Sequence, residues 1–213
     1  MKRLPLASLL AAGTAAKPAV AGLIAGLVAG FVATGLVVGL AAGTASPAAA
    51  QISLFQETGL MQAVVDGDVN KLKSALLRGD NPNQEDIHGK TALLVAIERS
   101  STTMVSVLLD GGANVNRADK AGVTPLIAAS ESGNGDIVDL LLKRGAKVDQ
   151  DNRDGMTALM VAARNGRADI VDRLLKAGAK VDRSDFTGRT ALNWSQESRN
   201  TRVATMLRQA GAR

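Results

Sequence analysis

Residues 118–150 read ADKAGVTPLIAASESGNGDIVDLLLKRGAKVDQ, and residues 151–183 read DNRDGMTALMVAARNGRADIVDRLLKAGAKVDR. The second line repeats the first at a step of 33 residues. The step extends outward in both directions. Gly89, Gly122, Gly155 and Gly188 keep it, as do Gly79, Gly112, Gly145, Gly178 and Gly211. Thr58, Thr91, Thr124, Thr157 and Thr190 keep it too, with Leu60, Leu93, Leu126, Leu159 and Leu192 two residues further on. No insertion or deletion interrupts the series. A fixed period of 20–50 residues marks a repeat architecture, in which each unit is one supersecondary element stacked on the next.

Within one unit the residues dictate two short helices. Thr124 supplies a side-chain oxygen suited to an N-cap. Pro125 lies in the first turn, where its missing amide costs nothing. A helix over 125–132 follows, with Ala129 and Ser130 as small contacts. A second helix over about 135–143 carries Ile137, Val138, Leu140, Leu141 and Leu142 on one broad apolar face. Gly145 and Gly178 follow helix ends, where positive φ is cheap. Val115, Val148 and Val181 pack the outgoing turns. The predicted core includes Leu93, Ala96, Leu108, Leu126, Ala129, Leu141, Leu159, Ala162, Leu174 and Leu192. No single unit can bury its leucines alone, but stacked units form one continuous core.

Each unit resembles the ankyrin repeat. Unit three carries the pattern best, in Asp119, Gly122, Thr124-Pro125-Leu126, Ala129, Gly133, Val138, Leu141-Leu142 and Gly145-Ala146. Unit four repeats it with Gly155, Thr157-Ala158-Leu159, Ala162-Ala163, Gly166, Val171, Leu174-Leu175 and Gly178-Ala179. Unit two has Asp86, Gly89, Thr91-Ala92-Leu93, Ala96, Val105, Leu108-Leu109 and Gly112-Ala113. The resemblance implies an all-α solenoid of about five helix-turn-helix repeats with β-hairpin-like tips, at about 52–84, 85–117, 118–150, 151–183 and 184–213. The terminal units depart from the pattern, as caps do. Unit one has Gln56 for the turn glycine and Gly59 for proline, and unit five has Arg199 at the helix-turn glycine. The family's histidine after Thr-Pro-Leu is replaced by Met61, Leu94, Ile127, Met160 and Asn193. Its customary hydrogen bonds are therefore expected to be missing from every unit.

Residues 1–50 are a separate object. They contain three of the 25 basic residues (Lys2, Arg3 and Lys17) and none of the 20 acidic ones, so residues 51–213 carry 22 basic against 20 acidic groups. Ala19 to Ala45 is a run of 27 residues without a charge. As a helix it would measure about 40 Å, more than a hydrocarbon core of about 30 Å. Basic residues precede it and none follows until Lys71, which places the rest of the chain outside the cytoplasm. Two readings stay open. One is a cleaved export signal ending at Ala48-Ala49-Ala50, after Pro47 stops the helix. The other is a retained N-terminal apolar helix acting as a single-pass anchor. Its Gly22, Gly26, Gly30 and Gly35, Gly39, Gly43 recur four apart, as in close-packed transmembrane helices. The expected location is the periplasm or exterior of a Gram-negative-type bacterial cell, or its inner membrane with the repeats outside. Membrane contact is expected only if residues 19–45 are retained.

Residue counts argue against an enzyme. Cysteine is absent and histidine occurs once, at His88, which removes thiolate chemistry and multi-histidine metal sites. No phosphate-binding glycine loop with Lys-Ser or Lys-Thr occurs. Gly133-Asn134-Gly135-Asp136 lacks the oxygen ligands of a calcium loop and aligns with an interhelical turn. No catalytic residue, metal or small-molecule cofactor is expected. Nucleic acid is disfavoured by the near-neutral repeats and by the lack of interleaved aromatic residues. The resemblance implies a partner that is another protein, held along a concave groove lined by hairpin tips and first helices; outside the cytoplasm it is expected to be an envelope or exported protein, with a membrane-anchored assembly component or a secreted effector as the alternatives. Positions the repeat leaves free there are candidates, because tryptophan and arginine dominate interface hot spots. They are Arg153, Arg164, Phe186 and Trp194, with Lys120, Glu131 and Glu98. Trp194 also reads as a cap on the end of the core, and charged tips as ordinary solvated surface.

Overall fold

The computed structural model describes residues 59–213. The apolar segment 19–45, the cleavage-like run before Gln51 and the opening of unit one lie outside the described residues. Those residues form ten helices and no strand. They fall into five pairs: α1 (Gly59–Asp66) and α2 (Val69–Leu77), α3 (Ala92–Glu98) and α4 (Thr102–Asp110), α5 (Pro125–Ser132) and α6 (Gly135–Lys143), α7 (Ala158–Arg164) and α8 (Ala168–Lys176), α9 (Ala191–Glu197) and α10 (Thr201–Gln209). First helices pack on first helices and second on second, so the pairs stack in two layers. No helix among the described residues is long and apolar enough to cross a membrane.

The threonines start the first helices as expected. Thr91, Thr124, Thr157 and Thr190 have extended backbone, and each hydroxyl accepts from the amide three residues on. Replacing such a cap by alanine typically costs about 1 kcal/mol. Every residue of the predicted core is buried, in one continuous cluster that also takes in Ile97, Met104, Ile137, Ile170 and Val203. Val115, Val148 and Val181 are half-buried against it.

Two departures follow from single residues. The turn between the helices of a pair needs positive φ, and Gly67, Gly133 and Gly166 provide it at 77°, 77° and 68°. Units two and five lack the glycine, yet Ser100 and Arg199 adopt φ of 54° and 58° there. The stack imposes the turn on side chains that disfavour it. The second departure corrects the hydrogen-bond expectation. In unit five the Asn193 side chain accepts from the Thr190 amide at 2.9 Å, completing a reciprocal capping box. One unit therefore keeps a side-chain bond at this position.

The units are clamped at both edges. At the outgoing turns Asn83 accepts from the Asn114 amide and donates to the Gly112 carbonyl. Asn116 repeats both bonds one unit later, to Lys147 and Gly145. Asp149 accepts from the Lys180 amide in the same register. At the hairpin tips Asp86, Asp119, Asn152 and Asp185 each accept two amides, two and four residues ahead, closing the turn around the tip glycine. Tips three to five are joined by backbone bonds, Arg153 N–H to Ala121 O at 3.2 Å and Phe186 N–H to Asp154 O at 3.0 Å. The β-character expected of the tips is limited to isolated bridges, Glu85 with Thr91 and Ser184 with Thr190.

Candidate protein-binding site

The hairpin tips and the C-terminal ends of the first helices share a face. The 33-residue register puts two columns on it. The residue before each N-cap is Lys90, Val123, Met156 or Arg189, and the residue near each first-helix end is Glu98, Glu131, Arg164 or Glu197. In units two, four and five the columns pair across the unit, and in unit three Val123 leaves Glu131 free to be reached from unit four. Lys90 bridges Glu98 at 2.5 Å, and Arg189 bridges Glu197 at 3.1 Å. The bond to Glu98 holds the Lys90 ammonium pKa above its usual value. In unit four Arg164 donates to the Met156 sulfur at 3.7 Å and reaches back to Glu131 of unit three at 3.9 Å.

Arg164 and Arg189 converge on Trp194. Its ring lies under two guanidiniums, with the Arg189 carbon 4.8 Å and the Arg164 carbon 5.6 Å from the ring centre. Cations over an indole face are attracted by its quadrupole, by about 0.5–1 kcal/mol at exposed sites. The indole N–H donates to Asp185 at 2.9 Å. Asp185 is only 5% exposed. Burial alone would raise its pKa, but bonds from the Thr187 hydroxyl, the Arg189 amide, the indole and the Thr187 amide outweigh it and hold the carboxyl below its usual range. A buried tip carboxylate thus fixes a tryptophan that is half-buried at its inner edge and open on this face.

The structure divides the sequence-derived candidates. It brings Glu131, Arg164 and Trp194 together. Glu98 lies further along the same face, with Lys90, beside an open hollow of about 440 Å³ lined by Met61, Val65, Asp86, His88, Val95 and Arg99. Lys120, Arg153 and Phe186 are on the tips and are exposed, Phe186 at 77%. Trp194 is half-buried and packs against the core in the last unit, as the cap reading expects. Arg189, Asp185 and Met156 were not among the candidates. The signal for Arg189 was its alignment with Lys90 immediately before an N-cap threonine. Asp185 looked like any turn-forming acid, and its bond to an indole nine residues ahead has no sequence signature. Among the described residues, no group of His, Cys, Asp and Glu could hold a metal ion.

The comparisons with known proteins agree with this architecture. The family model for ankyrin repeats (3 copies) matches residues 60–152 and again 145–213. The chain therefore belongs to the ankyrin-repeat family, whose domains are generally non-catalytic modules for binding other proteins. No curated protein matches the chain.

Proposed function

We propose that the protein is a non-catalytic binding module that works outside the cytoplasm and captures an exported or envelope protein on the face formed by its tips and first helices. The Arg164–Trp194–Arg189 cluster carries this reading. It is an aromatic anchor held rigid by a buried carboxylate and ringed by ion pairs, the arrangement that concentrates binding energy at interfaces. The location rests on the charge asymmetry of residues 1–50, with three basic residues before the apolar run and none after it until Lys71.

The test is capture of the native partner by the full chain and by a Phe186→Ala/Trp194→Ala double variant. Loss of the partner with the variant supports the reading, and identical recovery by both proteins sinks it. The glycine spacing of residues 22–43 favours a second reading, a membrane-anchored assembly component whose helix packs against another. An intact mass of the fractionated native protein separates the two. Loss of residues 1–50 removes the anchor, whereas retention in the membrane fraction supports it.

A further inference from the structure

The hairpin tips carry a second pattern. At the same tip position, one per unit, stand Ile87, Lys120, Arg153 and Phe186. Ile87 and Phe186 are 80% and 77% exposed. Three large apolar side chains are this exposed among the described residues, and two of them flank this row. Between them stand two cations. Both are exposed, and neither Lys120 nor Arg153 has an ion-pair partner among the described residues, as is also true of Lys147 and Lys180 at the outgoing turns.

The row is held in place. The Arg153 and Phe186 amides are bonded to the preceding tips. The Lys120 stem lies over Gly89, in space that a side chain at that glycine would fill. A ligand meeting this ridge pays little to order it, which is the condition for useful affinity from a narrow contact.

We infer that this ridge binds an acidic segment in the polyproline-II conformation, with the pattern apolar-x-x-acidic-x-x-acidic-x-x-apolar. The inference rests on the proposed interaction function and names the chemistry of the partner. Charge complementarity sets the two central positions and the exposed apolar tips set the outer ones. The spacing sets the conformation. Successive first helices pack directly, and packed helices lie about 8–10 Å apart. Polyproline II rises about 3.1 Å per residue with three residues per turn, so one side of it returns about every 9.3 Å. A β-strand returns a face about every 6.6–6.8 Å and falls out of step with the tips. Because the pattern reads the same in both directions, either chain polarity fits. Exposed ion pairs are individually weak and are screened by salt, so the complex is weak and salt-sensitive.

The experiment titrates the full-length protein into a fluorophore-labelled peptide of about ten residues, with leucine at each end, glutamate at every third position between, and proline elsewhere. Fluorescence anisotropy is the readout. The expected result is saturable binding that weakens at least about tenfold in Lys120→Glu/Arg153→Glu, two surface changes worth several exposed-pair contributions. The same double variant is expected to prefer a peptide with lysines in place of the glutamates, a reversal that a merely structural defect would not produce. Ile87→Ser gives an independent loss at one end of the ridge, and moving each glutamate by one residue weakens binding to the wild type. Absence of saturation by about 1 mM, or unchanged binding by the double variant or by Ile87→Ser, overturns the inference. So does a lysine peptide without preference for the double variant, or indifference to glutamate position. Failure of the ridge alone leaves partner capture sensitive to Trp194→Ala, whereas failure of the interaction reading removes that sensitivity as well.

Discussion

Gly155 and Gly188 occupy the same tip position in adjacent units, with φ of 78° and 82°. Their surroundings differ. A Cβ on Gly188 would meet nothing within 4 Å among the described residues. A Cβ on Gly155 would lie 2.9 Å from the Phe186 amide nitrogen, 3.1 Å from the Asp185 Cα and 2.9 Å from the Phe186 ring. Two of those atoms are backbone and cannot swing away. Gly188→Ala therefore suffers the left-handed penalty of about 1–2 kcal/mol, offset by about 0.4–1 kcal/mol of unfolded-state entropy. The net is a loss of about 0.5–1 kcal/mol. Gly155→Ala suffers the same, plus about 1–3 kcal/mol of overpacking. Tip five must also move off its backbone bond to Asp154, worth about 1 kcal/mol. The expected difference between the two variants is at least about 1.5 kcal/mol. Urea unfolding followed by circular dichroism and by Trp194 fluorescence measures it as a shift in midpoint at unchanged slope. Hydrogen exchange should also show the Phe186 amide losing protection in Gly155→Ala alone. Equal destabilisation by the two substitutions would refute the close stacking of tips as a source of stability.

Three further outcomes follow from the same geometry. Ser100→Gly and Arg199→Gly remove a left-handed penalty at φ of 54° and 58°, and each should stabilise the protein by about 0.5 kcal/mol after the entropy offset, read as a rise in thermal midpoint. Asn116→Ala removes the two bonds that the Asn116 side chain makes to the next turn, and should cost about 1–2 kcal/mol in urea unfolding. Asp185→Asn keeps the turn, since Asn152 closes the equivalent turn in unit four, but it discharges the group beneath Trp194. The folded carboxyl is depressed below 3.8, so its stabilising contribution is complete above that value and is lost as pH falls through the folded pKa. The variant should therefore show a flatter stability profile below about pH 4 and a shifted Trp194 emission, and a profile parallel to the wild type would count against that role for Asp185.

The scaffold was legible because its determinants are local and periodic. Thr124 caps, Pro125 starts and Gly133 ends α5 through bonds within a few residues, and the 33-residue step copies that unit along the chain. The helix bounds 125–132 and 135–143 hold for the same reason. What escaped depends on contacts between units or across a tip. Ser100 and Arg199 take a glycine's conformation at φ of 54° and 58°, which a reading of local propensity does not foresee. Asn83 and Asn116 stand 33 residues apart, but their clamp consists of bonds to the next unit's backbone, which only the structure shows. The candidates Arg164 and Trp194 were chosen for residue type and position. The guanidinium of Arg189 over the same ring came only with side-chain geometry.

The most direct test of the central claim places a photo-crosslinking amino acid, in cells, at Arg164 and Phe186 on the tip-and-first-helix face, and at Lys143 and Gln209 on the exposed second helices. The account expects a discrete adduct with one protein from the first two positions and none from the others. Adducts from the second helices alone, or equal labelling from all four positions, would contradict it.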